Sequence, residues 1–157
     1  MTAVGCRART SSCARRRSRM VASSAPTAFL LSYVEDEREM YGTALWAAGF
    51  LVTVFLDPLL ALEQAFLNNP DVFVARLLQP GQPIDGIELT RRLRSDERTQ
   101  RLGVVIITSH IEPSYRDAAL CAGCDEYLLL PALPCDVVAA VQRAVTRRRP
   151  VTIQRTA

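Results

Sequence analysis

The sequence predicts an α/β fold in which five parallel strands form one sheet with helices on both of its faces. Between residues 27 and 147, five short apolar runs alternate with five segments of helical periodicity. Continuous apolar runs are typical of strands buried on both faces, and their alternation with helices implies crossover connections between parallel strands. Because such crossovers are right-handed, helices must cover both faces of the sheet.

Each predicted element is short and has clear boundaries. The apolar runs that we interpret as strands cover residues 28–31, 51–55, 72–75, 104–108 and 127–130. The helical segments cover residues 35–48, 58–67, 87–94, 113–122 and 134–147. In such sheets ligands bind beyond the carboxyl ends of the strands, so functional residues are expected where the five runs end.

The charge of the chain divides into a basic part at the ends and an acidic part between them. The 157 residues carry a net charge of +3, but residues 27–146 contain nine Arg against sixteen acids, a net of −7. We therefore expect a disordered Arg/Ser-rich tail over residues 1–26, one domain over 27–147 and a basic tail over 148–157. Translation from Met20 is an alternative explanation of the first stretch. Nucleic-acid binding is not expected of the acidic domain.

The remaining composition favours a cytoplasmic protein. No apolar run is long enough to span a membrane, and no apolar stretch follows the Arg-rich start, as a secretory signal would require. The five cysteines are an odd number, and two of them lie in the expected tail, so a disulfide framework is not expected. Cys121 and Cys124 are spaced as CxxC, but without a second pair or a nearby His this is better interpreted as a helix end than as a zinc or redox site.

Several segments, in this order and spacing, resemble the receiver domain of bacterial two-component signalling. They are REMY at 38–41, GF at 49–50, PDVFV at 70–74, LQP at 78–80, DGIEL at 85–89, VVIIT at 104–108 and AGCDEYLLLP at 122–131. The resemblance spans residues 27 to 147. It implies a flavodoxin-like, doubly wound (βα)5 sheet with strand order 2-1-3-4-5.

The resemblance also implies a pocket for phosphoryl transfer. In the family, two acids after the first strand help to bind magnesium, an aspartate at the end of the third strand accepts the phosphoryl group, a Thr or Ser ends the fourth strand, and a Lys precedes a proline after the fifth. These residue types suit phosphoryl transfer, which needs a carboxylate nucleophile, a hard cation and a positively charged group that contacts the phosphoryl oxygens.

This sequence departs from that pattern at most positions. Arg76 stands at the phosphoacceptor position, and Leu130 stands before Pro131 where the Lys belongs, whereas Thr108 is retained. Arginine is always protonated and offers no nucleophile. The resemblance therefore implies a degenerate pocket with no catalytic residue, in which magnesium binding is lost.

The position of the acidic pair depends on the register of the first helix. Glu35 and Asp36 resemble the family's acidic pair by eye. Aligning them with that pair shortens the first helix by three residues, which turns its faces by about 300°. Counting back from Gly49 without a gap places Ser32 and Tyr33 at the pair instead. We favour this gapless register. It puts Glu35 and Asp36 in the first helical turn, where acids interact favourably with the helix dipole.

Two further expectations concern the buried face of the first helix and the partner of Arg76. Met40, Ala44, Leu45 and Ala48 share a face of the first helix, which we expect to face the core. Arg76 requires a carboxylate nearby, because an unpaired guanidinium is costly to bury. Glu35, Asp36 and Asp85 are the candidates for that role.

The sequence thus indicates a phosphorylation-incompetent pseudo-receiver, not an enzyme, that acts through protein contacts. A signalling protein is the expected partner, either a histidine kinase or another response regulator, and a homodimer through the fourth helix, fifth strand and fifth helix is a further expectation. Tyr127 matches the family's switch aromatic on the fifth strand.

Two other functions remain open at this stage. A displaced carboxylate such as Asp85 or Asp71 could accept a phosphoryl group. Alternatively, Arg76, Ser32 and Thr108 could form a site for a small anionic metabolite.

Overall fold

A computed structural model describes residues 24–148, which form one five-stranded parallel sheet with five helices. The strands are β1 Thr27–Leu31, β2 Leu51–Phe55, β3 Val72–Arg76, β4 Gly103–Thr108 and β5 Glu126–Leu129. The helices are α1 Glu35–Ala47, α2 Pro58–Asn68, α3 Gly86–Ser95, α4 Pro113–Ala122 and α5 Pro134–Arg148. The strand order is β2-β1-β3-β4-β5 and every pair is parallel, which confirms the predicted fold.

The sheet separates two apolar cores. On one face α2, α3 and α4 pack against it around Phe73, Leu89 and Ile106. On the other face α1 and α5 pack around Leu45 and Val141. Because β3 and β4 lie between both cores, their apolar residues are buried on either side, as the continuous apolar runs indicated.

Two details of the packing differ from the sequence-based prediction. β2 is an edge strand with a single neighbour, and only Phe55 of its five residues is buried. In α1 the buried residues are Tyr41 and Leu45, whereas Met40 and Ala48 are exposed. The predicted stripe was therefore right at Leu45 but wrong at Met40 and Ala48, because the buried face is centred on Tyr41 and Leu45.

Capping residues fix where two helices begin on the sheet. Asp57 accepts hydrogen bonds from the backbone N–H groups of Leu59 at 2.8 Å and Leu60 at 3.3 Å at the start of α2. Asp85 accepts one from the backbone N–H of Glu88 at 2.8 Å at the start of α3. These bonds satisfy amide donors that a helix leaves unpaired in its first turn.

A partly buried charge network at the amino edge of the sheet joins α3, α5 and the turn before β5. Asp125, whose side chain is 4% exposed, accepts hydrogen bonds from Arg94 at 2.9 Å, Arg148 at 2.7 Å and the backbone N–H of Val104 at 2.8 Å. The Arg94 guanidinium also donates to the carbonyl oxygens of Gly123, Gln100 and Leu102. One carboxylate thus ties together three elements that are distant in sequence.

The predicted tails, residues 1–26 and 148–157, fall almost entirely outside the described residues. Within them only residues 24–26 and Arg148 are described, and Arg148 belongs to α5. No helix between residues 24 and 148 is long and apolar enough to span a membrane.

We expect Asp125→Ala to lower the free energy of unfolding by about 3 kcal/mol, because it leaves a largely buried Arg94 without its carboxylate. Urea or thermal unfolding followed by circular dichroism would measure the change. Asp117→Ala, on the exposed surface of α4, is the control and should stay within about 0.5 kcal/mol of the wild type. Equal stability of the two variants would contradict a stabilising role for Asp125.

The cysteines of the CxxC segment lie in different environments. Cys121 is exposed, whereas Cys124 is buried after the end of α4. Burial, assisted by the negative charge of Asp125, raises the pKa of the Cys124 thiol to about 11. Cys124 is therefore almost entirely protonated at pH 8, and the protonated thiol is a poor nucleophile.

We expect iodoacetamide at pH 8 to modify Cys124 in the native protein roughly tenfold or more slowly than the exposed Cys121 and Cys135. A raised pKa means that the thiolate fraction, and hence the rate at Cys124, keeps rising until the pH reaches about 11. Peptide mapping by mass spectrometry would give the three rates. In urea the difference should vanish, and its persistence there would argue against burial as the cause.

Candidate functional site

The carboxyl ends of the strands bring the predicted pocket positions to one edge of the sheet. Ser32 and Tyr33 directly follow β1, Arg76 is the last residue of β3, and Thr108 is the last residue of β4. Leu130 and Pro131 directly follow β5 and are joined by a cis peptide bond. Since the strands are parallel and adjacent, these residues lie at one edge of the sheet, where Arg76, Leu130 and Pro131 line a single crevice.

Arg76 forms an ion pair with Glu37, the third residue of α1, through its Nη1 atom and the Oε1 atom of the carboxylate. The two side chains are 12% and 13% exposed, so the pair is largely shielded from water. The guanidinium carbon also lies 5.0 Å from the centre of the Tyr33 ring, a cation–π contact. The position that the resemblance assigns to the phosphoacceptor thus holds a cation whose charge is balanced from within the chain.

The other oxygen of Glu37 is engaged by Ser32. The Ser32 hydroxyl donates to Glu37 Oε2 at 2.8 Å and accepts a hydrogen bond from the backbone N–H of Val34 at 3.1 Å. Arg38 donates from Nη1 to the carbonyl oxygen of Ser32 at 2.9 Å. The turn from β1 to α1 is therefore held by the same residues that position the carboxylate.

Glu37 was not among the carboxylates expected to pair with Arg76. Glu35 and Asp36 lie in the first turn of α1, as the gapless register requires, and both are exposed. Asp85 caps α3 instead. The expectation was therefore wrong about the partner, although it was right that a carboxylate is present.

The signal for Glu37 was present in the sequence. Glu37, Tyr41 and Leu45 are spaced at four-residue intervals, so they follow one another along one face of the helix. With Tyr41 and Leu45 recognised as the buried stripe, Glu37 would have been identified as the acid that points toward the end of β3.

Thr108 and Tyr127 are not among the residues that line the crevice, and neither is hydrogen-bonded to Arg76 in the described part of the chain. Thr108 is buried, and its hydroxyl oxygen accepts a hydrogen bond from the backbone N–H of His110 at 3.1 Å. The Tyr127 hydroxyl donates to the carbonyl oxygen of His110 at 3.5 Å, and burial raises the pKa of this tyrosine. The β4–α4 turn is thus linked to the ring that the resemblance identifies as a switch residue.

The crevice itself has mostly apolar walls. It encloses about 560 Å³ above the Arg76–Glu37 pair, between the start of α1 and the β5–α5 turn. Its apolar lining includes Met40, Leu130 and Leu133. Tyr41 joins the two sides by donating from its hydroxyl to the carbonyl oxygen of Ala132 at 3.0 Å, and burial, together with the charge of Glu37, raises its pKa.

Gln79, from the LQP segment at 78–80, is a polar residue for which the sequence predicted no role. It is buried in the turn between β3 and α3, where its Nε2 donates a long hydrogen bond of 3.5 Å to the carbonyl oxygen of Leu31. Its Oε1 atom has no hydrogen-bond partner among the described residues. The sequence pattern does not show that Gln79 is buried whereas Gln82 of the same turn is exposed.

The donor set of the crevice does not fit a magnesium ion. Magnesium requires several oxygen ligands, chiefly carboxylates and waters. Glu37 is the carboxylate of the crevice, and both of its oxygens are already bound to Arg76 and Ser32. Between residues 24 and 148, no group of three or more His, Cys, Asp or Glu is arranged to hold a metal ion.

The geometry also bears on the two functions left open by the sequence. Asp71 precedes β3 and accepts a hydrogen bond from the backbone N–H of Thr27 at 2.8 Å, so it lies at the amino edge, away from the crevice. The suggested anion site consists of Arg76, Ser32 and Thr108. Two of these residues, Arg76 and Ser32, already donate to the carboxylate of Glu37, so the three do not form a ready set of donors for an anion.

Comparison with known protein sequences identifies relatives. Residues 33–142 match the family model described as the response regulator receiver domain. The phosphate regulon transcriptional regulatory protein PhoB of Rhizobium meliloti (strain 1021) is 35% identical over 123 residues, which are 76% of this chain and 53% of that protein. The transcriptional regulatory protein CseB of Streptomyces avermitilis is 36% identical over 119 residues, 74% of this chain and 48% of that protein. The chain thus spans about half the length of these curated relatives.

Solved structures share the architecture. A putative response regulator from Chloroflexus aurantiacus J-10-fl superposes with a TM-score of 0.72 at 29% identity, over 78% of this chain and 99% of that chain. The receiver domain of the sensor histidine kinase PA1611 from Pseudomonas aeruginosa PAO1, whose structure has a magnesium ion coordinated in the active-site cleft, has a TM-score of 0.70 at 22% identity, over 78% and 98% of the chains. The second likeness shows the fold alone. Since the family model covers most of the chain and the sheet has the matching topology, the chain belongs to the response regulator receiver domain family.

Proposed function

We propose that this receiver domain works in bacterial two-component or phosphorelay signalling without being phosphorylated, and that it acts through protein contacts. The observation that carries the proposal is the ion pair between Arg76, at the phosphoacceptor position, and Glu37. The pair places an internal cation and its balancing anion where the family's chemistry needs a nucleophile and a metal ion.

The chemistry of the crevice supports the proposal. Acceptance of a phosphoryl group requires a nucleophile, and the guanidinium of Arg76 is none, because it stays protonated at any physiological pH. Leu130 supplies no positive charge for phosphoryl oxygens. Glu37 could act as a nucleophile only after losing its bonds to Arg76 and Ser32. We therefore assign the domain neither catalysis nor a magnesium cofactor.

Protein contacts are the remaining means of signalling. Receiver domains interact with histidine kinases and other signalling proteins, and we infer a partner of that kind for this chain in the cytoplasm. The exposed apolar side chains Met40 and Leu133 at the mouth of the crevice favour the side chains of a protein over a phosphoryl group. The face formed by α4, β5 and α5 is a second candidate contact surface. The ion pair would hold the crevice in one fixed state.

We expect no stable phosphorylation when the full chain is incubated with acetyl phosphate and magnesium, because the crevice offers neither a free carboxylate nor a metal site. Intact-mass spectrometry under mildly acidic conditions would detect an acyl phosphate, and peptide mapping would locate it. An unmodified receiver domain with the complete family pocket serves as the positive control. An adduct on Glu37, Asp85 or another carboxylate of this chain would overturn the proposal.

We expect Arg76→Asp to lower the free energy of unfolding by about 3 kcal/mol, because it removes the cation and places a second carboxylate beside Glu37. Adding magnesium should raise the melting temperature of this variant, since two facing carboxylates can share the ion, but should not raise that of the wild type. Differential scanning fluorimetry with and without magnesium would measure both effects.

Two controls separate the ion pair from general effects of charge. Arg116→Asp, on the exposed face of α4, should change stability by no more than about 0.5 kcal/mol. The double variant Arg76→Met with Glu37→Met should stay within about 1 kcal/mol of the wild type, because it removes both charges together. An Arg76→Asp variant as stable as the wild type in the absence of magnesium would show that the pair does not hold the crevice.

A further inference from the structure

β2 forms one lateral edge of the sheet and is unusually unprotected. Its five residues pair with β1 on one side only and without interruption, so the strand contains no bulge. Leu51 is 57% exposed and Val54 is 45% exposed. From Phe50 to Leu56 the chain carries no ionisable residue and no proline. Natural proteins ordinarily protect such edges with charges, prolines or bulges.

The backbone of β2 presents a defined set of free hydrogen-bonding positions along this edge. The N–H of Leu51 donates to the carbonyl oxygen of Pro26, so Leu51 directs its backbone toward the β1 side. Because backbone direction alternates along a strand, Thr53 and Phe55 also face β1, whereas Val52 and Val54 direct their N–H and C=O groups outward. The edge therefore offers two donors and two acceptors in alternation.

The opposite lateral edge of the sheet differs. β5 is only four residues long and carries a charged residue, Glu126. Arg143 and Arg147 of α5 form ion pairs with Glu126 at 3.1 and 3.0 Å. These charges are among the devices that block edge-to-edge pairing, so an incoming strand is favoured at β2 and not at β5.

We propose that β2 is a dimerisation edge, at which it pairs antiparallel with β2 of a second copy of this chain. A twofold axis at Thr53 places Val52 of each copy opposite Val54 of the other. Both of these pairs exchange two backbone hydrogen bonds, which gives four in all and uses every outward group of Val52 and Val54. The same register places the two Thr53 side chains face to face and Leu51 opposite Phe55, which are favourable cross-strand pairs.

The distribution of charge favours a second copy at this edge. The acids of residues 27–146, which give that part of the chain a net charge of −7, all lie outside the stretch from Phe50 to Leu56. Two copies that pair at β2 therefore bring no like charges of the strands together, and a twofold axis requires only that the strand match itself. α1 and α2 pack on β2 from the two faces of the sheet and expose Trp46, Leu59 and Leu60, which adds apolar surface beside the strand.

The area that the proposed dimer interface buries is small, so its affinity is expected to be modest. A five-residue edge with the flanking side chains buries less than the roughly 800 Å² per partner of a standard interface, so we expect association that depends on protein concentration in the micromolar range. Sedimentation velocity of the full chain over a dilution series would give the dissociation constant. Hydrogen exchange of the amides of Val52 and Val54 should slow as the concentration rises, since these two N–H groups become bonded only in the dimer.

Two variants test the edge without touching the core. Val54→Pro removes an outward N–H, and edge strands tolerate proline at such positions, so the monomer should remain folded. Thr53→Arg places two positive charges across the axis. Each variant should weaken dimerisation roughly tenfold or more, because hydrogen bonds are lost or like charges meet. Ser95→Arg at the exposed end of α3 is the charge-matched control and should dimerise like the wild type.

The outcomes are distinct. A chain that stays monomeric at every concentration would overturn the proposal. A dimer that persists in both edge variants would also overturn it and would point to another face, such as that of α4, β5 and α5. Because none of these variants alters Arg76 or Glu37, the result is independent of whether the domain can be phosphorylated.

Discussion

The carboxyl edge of this domain depends on the need to neutralise one cation, Arg76, that is largely shielded from water. A guanidinium cannot lose its proton at physiological pH, and an uncompensated charge in a shielded site is strongly unfavourable. Arg76 ends β3, which lies between β1 and β4, so the compensating carboxylate comes from a segment that follows a neighbouring strand. Glu37 provides it from the first turn of α1, and Ser32 fixes its orientation. The path of the chain from β1 into α1 is thus coupled to the residue at the end of β3.

The same scaffold supports this altered pocket because the fold does not depend on the pocket. Two apolar cores, one on each face of the sheet, supply the packing, and the Asp125 network ties α3 and α5 to the sheet at the opposite edge. Residues at the carboxyl ends of the strands are therefore free to change their chemistry while the topology stays the same. Here an internal ion pair and apolar walls occupy the crevice to which the resemblance assigns the family's acids and lysine.

The sequence predicted the fold well because the alternation of apolar runs and helices determines the topology almost alone. It also placed Arg76, Thr108 and Leu130 at strand ends, since those positions follow from the ends of the apolar runs. It missed Glu37 because the stripe of α1 was assigned from Met40 and Leu45, although the buried aromatic Tyr41 defines it. An apolar composition did not reveal that β2 is exposed, because burial of a strand depends on how many neighbours it has, which is a property of the complete sheet.

The crevice and the β2 edge can serve different partners because they face in different directions. The crevice opens at the carboxyl ends of the strands, between α1 and the β5–α5 turn, whereas β2 is the lateral border of the sheet. They are nevertheless connected through β1, which pairs with β2 along its length and leads directly into Ser32. In the proposed dimer, a second sheet would stiffen β2 and β1 without covering the crevice. A signalling partner could then meet the Arg76–Glu37 pair on a more rigid support, and each copy would present its own crevice.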